Sequence, residues 1–478
     1  MSSVLAFDFG ASGGRAVKAT YRSGTLEYEE IHRFEKKPVE ENGTLCWDFG
    51  ALLAEVRTGI QKAGRVDSIG FDTWGVDFGL LGKDGALLAR PVHYRDKRTA
   101  GLPAKTESVM PGKTLYAATG NQIMNINTLF QLVALKEQDP ALFARADRLL
   151  FMPDLFAYSL CGNAVCERSI ASTSQMFNPA TREWSAEVLS AFGIPETLFA
   201  PLAESGTVAG TYDGMKIISV AGHDTQCAVA AIPAVKAEKV AFLSCGTWSL
   251  IGTELDAPVL TETSMERELS NECGANGKIN YLKNIIGLWL IQESRREWKR
   301  QGTTYSFADL EALAREAPGA RCCIDPDDPS FAPPGDVPER IREFCRKTGQ
   351  YVPRSPGEIM RCVYESLAFK YRSALEQLSE TTGKRFERLH VLGGGCRDRF
   401  LCQTTADFCG IPVVAGPVEA TALGNILIQL TALGDIPDIA AGRALLRKTE
   451  KLKRYEPAKT ESDGKVFEKF RKIIDCGR

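Results

Sequence analysis

The sequence predicts an α/β protein of two halves that open alike, with a ligand cleft between them. Three observations carry that expectation. The chain has 478 residues, more than one hydrophobic core serves, so two large domains are expected. Each half begins with a strand, a turn of small residues and a second strand: VLAFDFG, ASGGR and AVKATY from Val4 to Tyr21, and KVAFLSCGTWSLIG from Lys239 to Gly252. A short apolar run, Ile217–Ala221, ends at a glycine and then delivers His223 and Asp224. In α/β folds ligands gather at the carboxyl ends of strands.

In chain order, the first strand carries Asp8 among apolar residues. A carboxylate there is costly without a partner, and a metal-bound water is one such partner. The turn Ala11–Arg15 has no Cβ at Gly13 or Gly14, so backbone N–H groups stand open to a phosphate. Ser12 adds a hydroxyl and Arg15 a charge. GxxxxGK[ST] is absent, so this is no P-loop, and a plain glycine-rich hairpin reads the same way. Leu26–Phe34 reads as a third strand, and Phe49–Ala63 has helical spacing at Leu52, Val56 and Ile60. Ser68–Leu81, SIGFDTWGVDFGLL, reads as two strands about a turn near Trp74-Gly75, flanked by Asp72 and Asp77. Gly75 lets a ligand lie close to the backbone. Trp74 is either an exposed sugar platform or a core residue, and Asp77 is either chemical or solvated. Within Pro91–Arg98, which follows another short strand, Arg95 and Asp96 bind a polyol or pair with each other. Residues 120–210 read as mainly helical, with Thr128–Gln138 and Pro153–Leu160 clearest.

Asp224 stands where a carboxylate near low-dielectric surroundings has its pKa tuned toward proton acceptance. The alternative is a turn aspartate bonded to its own backbone. Pro233–Lys239 is the connector, dividing the chain into residues 1–235 and 236–478.

The second half puts Gly246-Thr247 at its hairpin tip. Tyr281–Glu293 reads as one apolar helix with Asn284 and Gln292 on a shared face. Asp325–Pro338 is a loop and Ser355–Leu378 a long amphipathic helix. Arg388–Gly395 ends in Gly393, Gly394 and Gly395 before the helix Asp398–Phe408, an arrangement that accommodates a nucleotide although it is not GxGxxG. Ile411–Ala415 is a strand. The helix Ala420–Ala432 begins with small residues suited to close packing, Gly424 among them. The tail after Lys448 reads as a surface helix.

The net charge of −2 gives no electrostatic case for nucleic acid or anionic membrane as a partner. No apolar run reaches transmembrane length and no basic leader precedes the first strand, so the cytoplasm is expected. The fourteen cysteines are scattered without CxxC, and only four histidines occur, so no zinc site is expected. The cysteines read as buried small apolar residues. Cys345 and Cys362 meet only if their segments pack together, and a cytosolic disulfide is not expected.

FDFGASGGR, FDTWGVDFGLL, HYRDKRT, AGHDTQCAV, LSCGTWSLIG, LKNIIGLWLIQE, LGGGCRDRFL and GPVEATALGN, in that order over nearly the whole length, resemble the FGGY carbohydrate kinases. These belong to the sugar kinase, Hsp70 and actin superfamily. The resemblance implies two actin-like (ribonuclease H-like) domains with an interdomain catalytic cleft, sugar mainly on the first domain and nucleotide mainly on the second. It implies ATP-dependent phosphorylation of L-rhamnulose at its 1-hydroxyl, with Mg²⁺, in L-rhamnose catabolism. Carried over by position, Ala11, Ser12, Gly13, Gly14, Arg15, Thr247, Gln292 and Gly394 would meet ATP. Gly75, His223, Asp224, Thr225 and Asn284 would meet the sugar, Asp224 would be the general base, and Asp8 would hold the metal through water. Two departures stand out: the tetrapeptide FGGY is absent, and Gly13 stands where the pattern has serine. A kinase for L-fuculose or a xylulose-type ketose is the alternative within the family. Outside it, the alternative is an Hsp70- or actin-like nucleotide switch, which needs an added binding domain or polymer surface. The expected partner is a small ketose, and the oligomeric state is left open.

Overall fold

The computed structural model describes residues 1–10, 13–234, 239–458 and 463–476. It divides into two compact units. The first is Met1–Lys236 with Glu254–Leu282 and Ala420–Thr449; the second is Ala237–Thr253, Lys283–Glu419 and Glu450–Arg478. Two stretches of the second half therefore complete the first unit. The middle of the expected connector, residues 235–238, lies outside the described residues.

The first unit is built on a six-stranded sheet. Its inner strand Ser2–Phe9 pairs antiparallel with Gly13–Arg22 and parallel with Ser68–Thr73, which pairs parallel with Met215–Ser219. Thr25–Glu35 and Thr207–Tyr212 form the edges. The inner strand is an almost unbroken apolar run because both its faces are covered: Val4, Leu5, Ala6 and Phe7 have no exposed surface. The helix Phe49–Ala63 starts at Asp48, whose side chain accepts from the Ala51 N–H, and it buries Leu52, Val56 and Ile60. The helix Ala420–Leu433 also packs on this sheet. Its Gln429 donates to the Leu5 carbonyl at 3.1 Å and accepts from the Ser68 hydroxyl at 2.7 Å. A Cβ on Gly424 would lie 1.8 Å from the Cys227 carbonyl oxygen, so this helix approaches Asp224–Ala230 only through a glycine.

The second unit repeats the plan. Val240–Cys245 pairs antiparallel with Trp248–Leu255 and parallel with Arg388–Leu392, which pairs parallel with Val413–Ala415. Its long helix, Pro356–Thr382, opens with a reciprocal cap between Ser355 and Glu358.

Several expectations need correction. Ser68–Thr73 and Phe78–Leu81 are not a hairpin: the first lies in the main sheet and the second pairs with Arg148–Phe151 in a separate ribbon. The chain turns out of the sheet at Val76, whose φ is 68°. Tyr281–Glu293 is not one helix but the end of a strand, Ile279–Ile286, and the start of a helix, Trp289–Arg300. The break falls at Gly287, where a Cβ would sit 2.4 Å from the Ser249 hydroxyl. The segment 120–210 has the two expected helices, Thr128–Gln138 and Met152–Cys161, with short strands between the elements. The tail is a strand, Lys453–Tyr455, then a helix, Asp463–Cys476, that buries Phe467 and Phe470 against Phe369. Cys345 and Cys362 do meet, and Cys322 joins them: the three buried thiol sulfurs lie within 4.8 Å of one another, unbridged.

Candidate active site

Three adjacent parallel strands of the first unit set the site. Asp8 is in register with Asp72, and Thr73 bridges to His223, so neighbouring strand ends carry Asp8, Asp72 and Asp224 along one edge. The three carboxylates have different environments. Asp8 is paired with Arg15, whose Nη2 and Nε reach its Oδ2 at 2.6 and 2.9 Å. Asp72 has no exposed surface; its Oδ2 accepts from Asn425 at 2.7 Å and its Oδ1 has no partner. Burial, then the charge of Asp8, holds the Asp72 carboxyl well above the usual carboxylate range. Asp224 is the accessible one, with 27% of its side chain exposed. Its Oδ1 accepts from the Thr225 N–H at 2.6 Å and lies 3.4 Å from His223 Nε2. Enclosure raises the Asp224 pKa against the pull of His223, and Asp8 adds to the rise. A carboxylate that is raised in pKa yet reachable suits proton acceptance.

The turn that presents Asp224 is fixed from both sides. Gly222 accepts from the Thr73 N–H at 2.8 Å. Glu167, itself buried, accepts from the Gly222 N–H at 2.9 Å, the Ser169 hydroxyl at 2.5 Å and the Ser205 hydroxyl at 2.7 Å. His223 is anchored through Nδ1, 2.8 Å from Glu272 Oε2, which also accepts from Gln226 at 2.6 Å. Gln226 in turn accepts from Asn280. Burial disfavours the imidazolium, but the charge and hydrogen bond of Glu272 overcome it, and the His223 pKa is raised. The anchored ring directs Nε2 toward Asp224. Sequence reasoning missed Glu167, Glu272 and Gln226, which sit among polar neighbours such as Arg168, Ser169, Ser270 and Asn271 and carry no signal of burial in the sequence.

Trp74 is buried, not an exposed platform. Its indole N–H donates to Asp77 Oδ2 at 2.8 Å, as do the Trp47 indole at 2.7 Å and the Tyr94 N–H at 3.2 Å. Gln131 donates to the other Asp77 oxygen at 3.1 Å. Asp77 is thus not solvated: four buried donors hold its two oxygens, and burial raises its pKa against them. Asp96 does not pair with Arg95; it accepts from the Leu45 and Arg98 N–H groups at 2.8 and 2.9 Å. Next to Gly75, the left-handed Val76 is held by Thr173 and Thr128, which bond its N–H and carbonyl at 3.2 and 2.7 Å. A Cβ on Gly75 would lie 3.3 Å from the Thr173 methyl group.

Of the first hairpin tip, Ala11 and Ser12 lie outside the described residues. At Gly13 a Cβ would meet the Phe34 carbonyl at 2.8 Å, and at Gly14 it would meet the Phe34 ring at 2.3 Å. The departure from serine at Gly13 therefore has a packing reason. In the second unit, Thr247 accepts through its carbonyl from the Gly287 and Trp289 N–H groups at 3.1 and 3.2 Å. Its hydroxyl donates to Gln292 at 3.2 Å. Gly395 packs on Cys245, where a Cβ would come within 2.2 Å of the sulfur, whereas at Gly394 an added Cβ meets nothing within 4 Å. Thr247 and Gln292 are thus in contact, and the Gly393–Gly395 turn abuts the end of the strand that leads to Thr247. Asn284 lies on the strand Ile279–Ile286 and Gln292 on the following helix, so no shared helical face exists.

These residues fit the expected ligands. Asp72 has an unpartnered buried oxygen beside Asp8, an acidic, oxygen-rich edge of the kind a hard divalent cation takes. The Thr247 turn and the unobstructed Gly394 offer backbone and hydroxyl groups to a nucleotide.

The chain was compared with known proteins as a whole. The models of the FGGY family of carbohydrate kinases match residues 3–232 with the N-terminal domain and residues 241–433 with the C-terminal domain. The chain is 43% identical to a rhamnulokinase of Bacteroides thetaiotaomicron, over 95% of each chain. It is 38% identical to a rhamnulokinase of Halalkalibacterium halodurans, covering 96% of this chain and 100% of that one. A ligand-bound xylulose kinase from Lactobacillus acidophilus shares the fold, with a TM-score of 0.81 at 18% identity over 100% and 98% of the two chains. Plasmodium falciparum glycerol kinase with ADP does so with a TM-score of 0.78 at 13% identity, over 100% and 98%. Both halves of the chain are matched, and the chain belongs to the FGGY family of carbohydrate kinases.

Proposed function

We propose that the protein transfers a phosphoryl group from ATP to the 1-hydroxyl of L-rhamnulose in L-rhamnose catabolism, with Asp224 as general base. The observation that carries the base assignment is the accessible Asp224 carboxylate, raised in pKa beside an anchored His223. The substrate follows from relatives named rhamnulokinase along nearly their whole length.

When bound, ATP supplies the phosphoryl group and Mg²⁺ neutralises charge on the phosphates. The chain's own residues do the remaining work. Asp224 hydrogen-bonds the acceptor hydroxyl, orients it and takes its proton late, because the transition state of phosphoryl transfer is loose. His223, pinned by Glu272, donates from Nε2 toward Asp224 and the sugar. Thr225 and the Gly75 backbone line the sugar side, with Asn284 assigned there as well. Asp8 would hold the metal through water. Gly13, Gly14 and Arg15, and by position Ala11 and Ser12, are assigned to the ATP phosphates; Thr247, Gln292 and Gly394 are assigned to the nucleotide side. The functional division is kept at residues 1–235 and 236–478. Among the described residues no helix is long and apolar enough to cross a membrane, and a cytoplasmic location is part of the proposal.

The test is a ketose panel (L-rhamnulose, L-fuculose, L- and D-xylulose) read by ATP-dependent ADP release. L-rhamnulose should give the highest kcat/KM. A higher value for L-fuculose or a xylulose would replace the substrate, and no turnover of any ketose would overturn the reading.

A further inference from the structure

Lys36 follows directly on the edge strand Thr25–Glu35, yet its side chain does not reach water; the residue is only 5% exposed. Its Nζ lies 3.0 Å from the centre of the Trp74 ring and 4.3 Å from that of Trp47. No hydrogen-bond acceptor meets it. An amine has up to three donor positions, and a buried donor left unmet is costly. The two indole faces offset part of that cost through their quadrupoles. They do not supply an acceptor, and Asp77, the carboxylate bonded to both indoles, is already spent on Trp47, Trp74, Tyr94 and Gln131.

A lysine acting only as a spacer between two tryptophans would be better replaced by an apolar side chain of the same length. What distinguishes this position is its surroundings. Trp74, on which the amine rests, is the residue before Gly75 and the left-handed Val76. Burial pushes the Lys36 pKa well below the usual lysine range, against the opposing charges of Asp77, Asp224 and Asp8. The amine therefore lies within the field of the proton acceptor and of the metal-side carboxylate. A buried donor that meets no acceptor and rests on the residue before the sugar-side Gly75 is read as a donor whose partner arrives with the substrate.

We propose that Lys36 is a substrate-binding residue whose Nζ, held over the Trp74 ring, donates to an oxygen of the polyhydroxylated ketose that Asp224 deprotonates. This rests on reading the Asp224 edge as the acceptor site and adds to it a specificity-determining donor that no sequence motif marks. The bond holds the sugar in ground state and transition state alike, so its loss acts on ketose KM more than on kcat.

The experiment compares wild type, K36M and K36Q in steady-state assays with L-rhamnulose and ATP varied separately. K36M, which keeps the stem over the rings but has no donor, should raise the ketose KM by about 10–100-fold, with kcat at saturation and the ATP KM within about twofold. K36Q, which keeps a donor, should recover part of the loss. A folded K36M with a wild-type ketose KM overturns the role of Lys36 while leaving the proposed reaction standing. A wild-type enzyme that turns over no ketose overturns both. If neither variant folds by circular dichroism, the nuclear magnetic resonance signal of the Lys36 side chain in isotope-labelled wild type decides. A shift of that signal on adding L-rhamnulose but not on adding ATP supports the role, and a signal unchanged by saturating L-rhamnulose overturns it.

Discussion

Replacing Glu272 with glutamine isolates what the anchor of His223 contributes. Glu272 is buried, and its Oε2 takes two donors, His223 Nδ1 at 2.8 Å and Gln226 at 2.6 Å. Glutamine keeps the shape but removes the charge and sets an amide N–H₂ among donors. A hydrogen bond to a charged group is worth ~1.5–3 kcal/mol, and at ~1.36 kcal/mol per tenfold that is about 10–100-fold in ketose kcat/KM. The pH dependence carries the sharper signature. Burial works against the imidazolium and Glu272 is its main support, so in the variant the His223 pKa falls. Asp224 then loses the cation that lowers its own pKa, and that pKa rises further. A base works only when deprotonated, so the acid limb of the kcat/KM profile for the ketose should move to higher pH. The assay is ADP release at saturating ATP across about pH 5–9, with thermal melts to confirm folding. An acid limb that stays in place, with ketose kcat/KM within about twofold of wild type, would refute the coupling of Glu272, His223 and Asp224.

Asp77→Asn should lower stability by about 1–3 kcal/mol, because a buried acceptor of two indoles, an amide and a backbone N–H is weakened; the folded enzyme should keep most of its kcat, and a loss comparable to that at Asp224 would return Asp77 as a base candidate. Gly75→Val should raise the ketose KM and leave the ATP KM unchanged, since the new side chain crowds Thr173 beside the turn; the opposite pattern would place that turn on the nucleotide side. Adding L-rhamnulose should change the intrinsic fluorescence, and Trp74→Phe should remove part of the change; an undiminished signal would remove Trp74 from the neighbourhood of the sugar.

Much of this was legible where a local rule decides the outcome. The glycine-interrupted hairpins, the helix Phe49–Ala63 and the acid after an apolar strand all follow from periodicity and turn chemistry. The errors fall where long-range contacts decide. SIGFDTWGVDFGLL alternates like a hairpin, but Asp77 gathers Trp47, Trp74, Tyr94 and Gln131 from separate segments, and the strand after it pairs elsewhere. YLKNIIGLWLIQE is too uniformly apolar for periodicity to separate strand from helix. Glu272 supports His223 from a segment 49 residues away, which no motif records. The three thiols of Cys322, Cys345 and Cys362 come from a loop and two helices, beyond any spacing rule. The departure at Gly13 has its cause in the Phe34 carbonyl on the neighbouring strand, which the local sequence does not show.

The most direct measurement is kcat of Asp224→Asn with L-rhamnulose and ATP, alongside Asp72→Asn. Asparagine keeps the size and one acceptor but cannot take the proton, and a positioned base contributes ~10²–10⁴ in rate. Asp224→Asn should therefore lose at least about 100-fold in kcat, with nucleotide affinity and melting temperature near wild type, and Asp72→Asn should lose less. A folded Asp224→Asn enzyme that keeps more than about a tenth of wild-type kcat would contradict the account, because that is below the contribution of a general base.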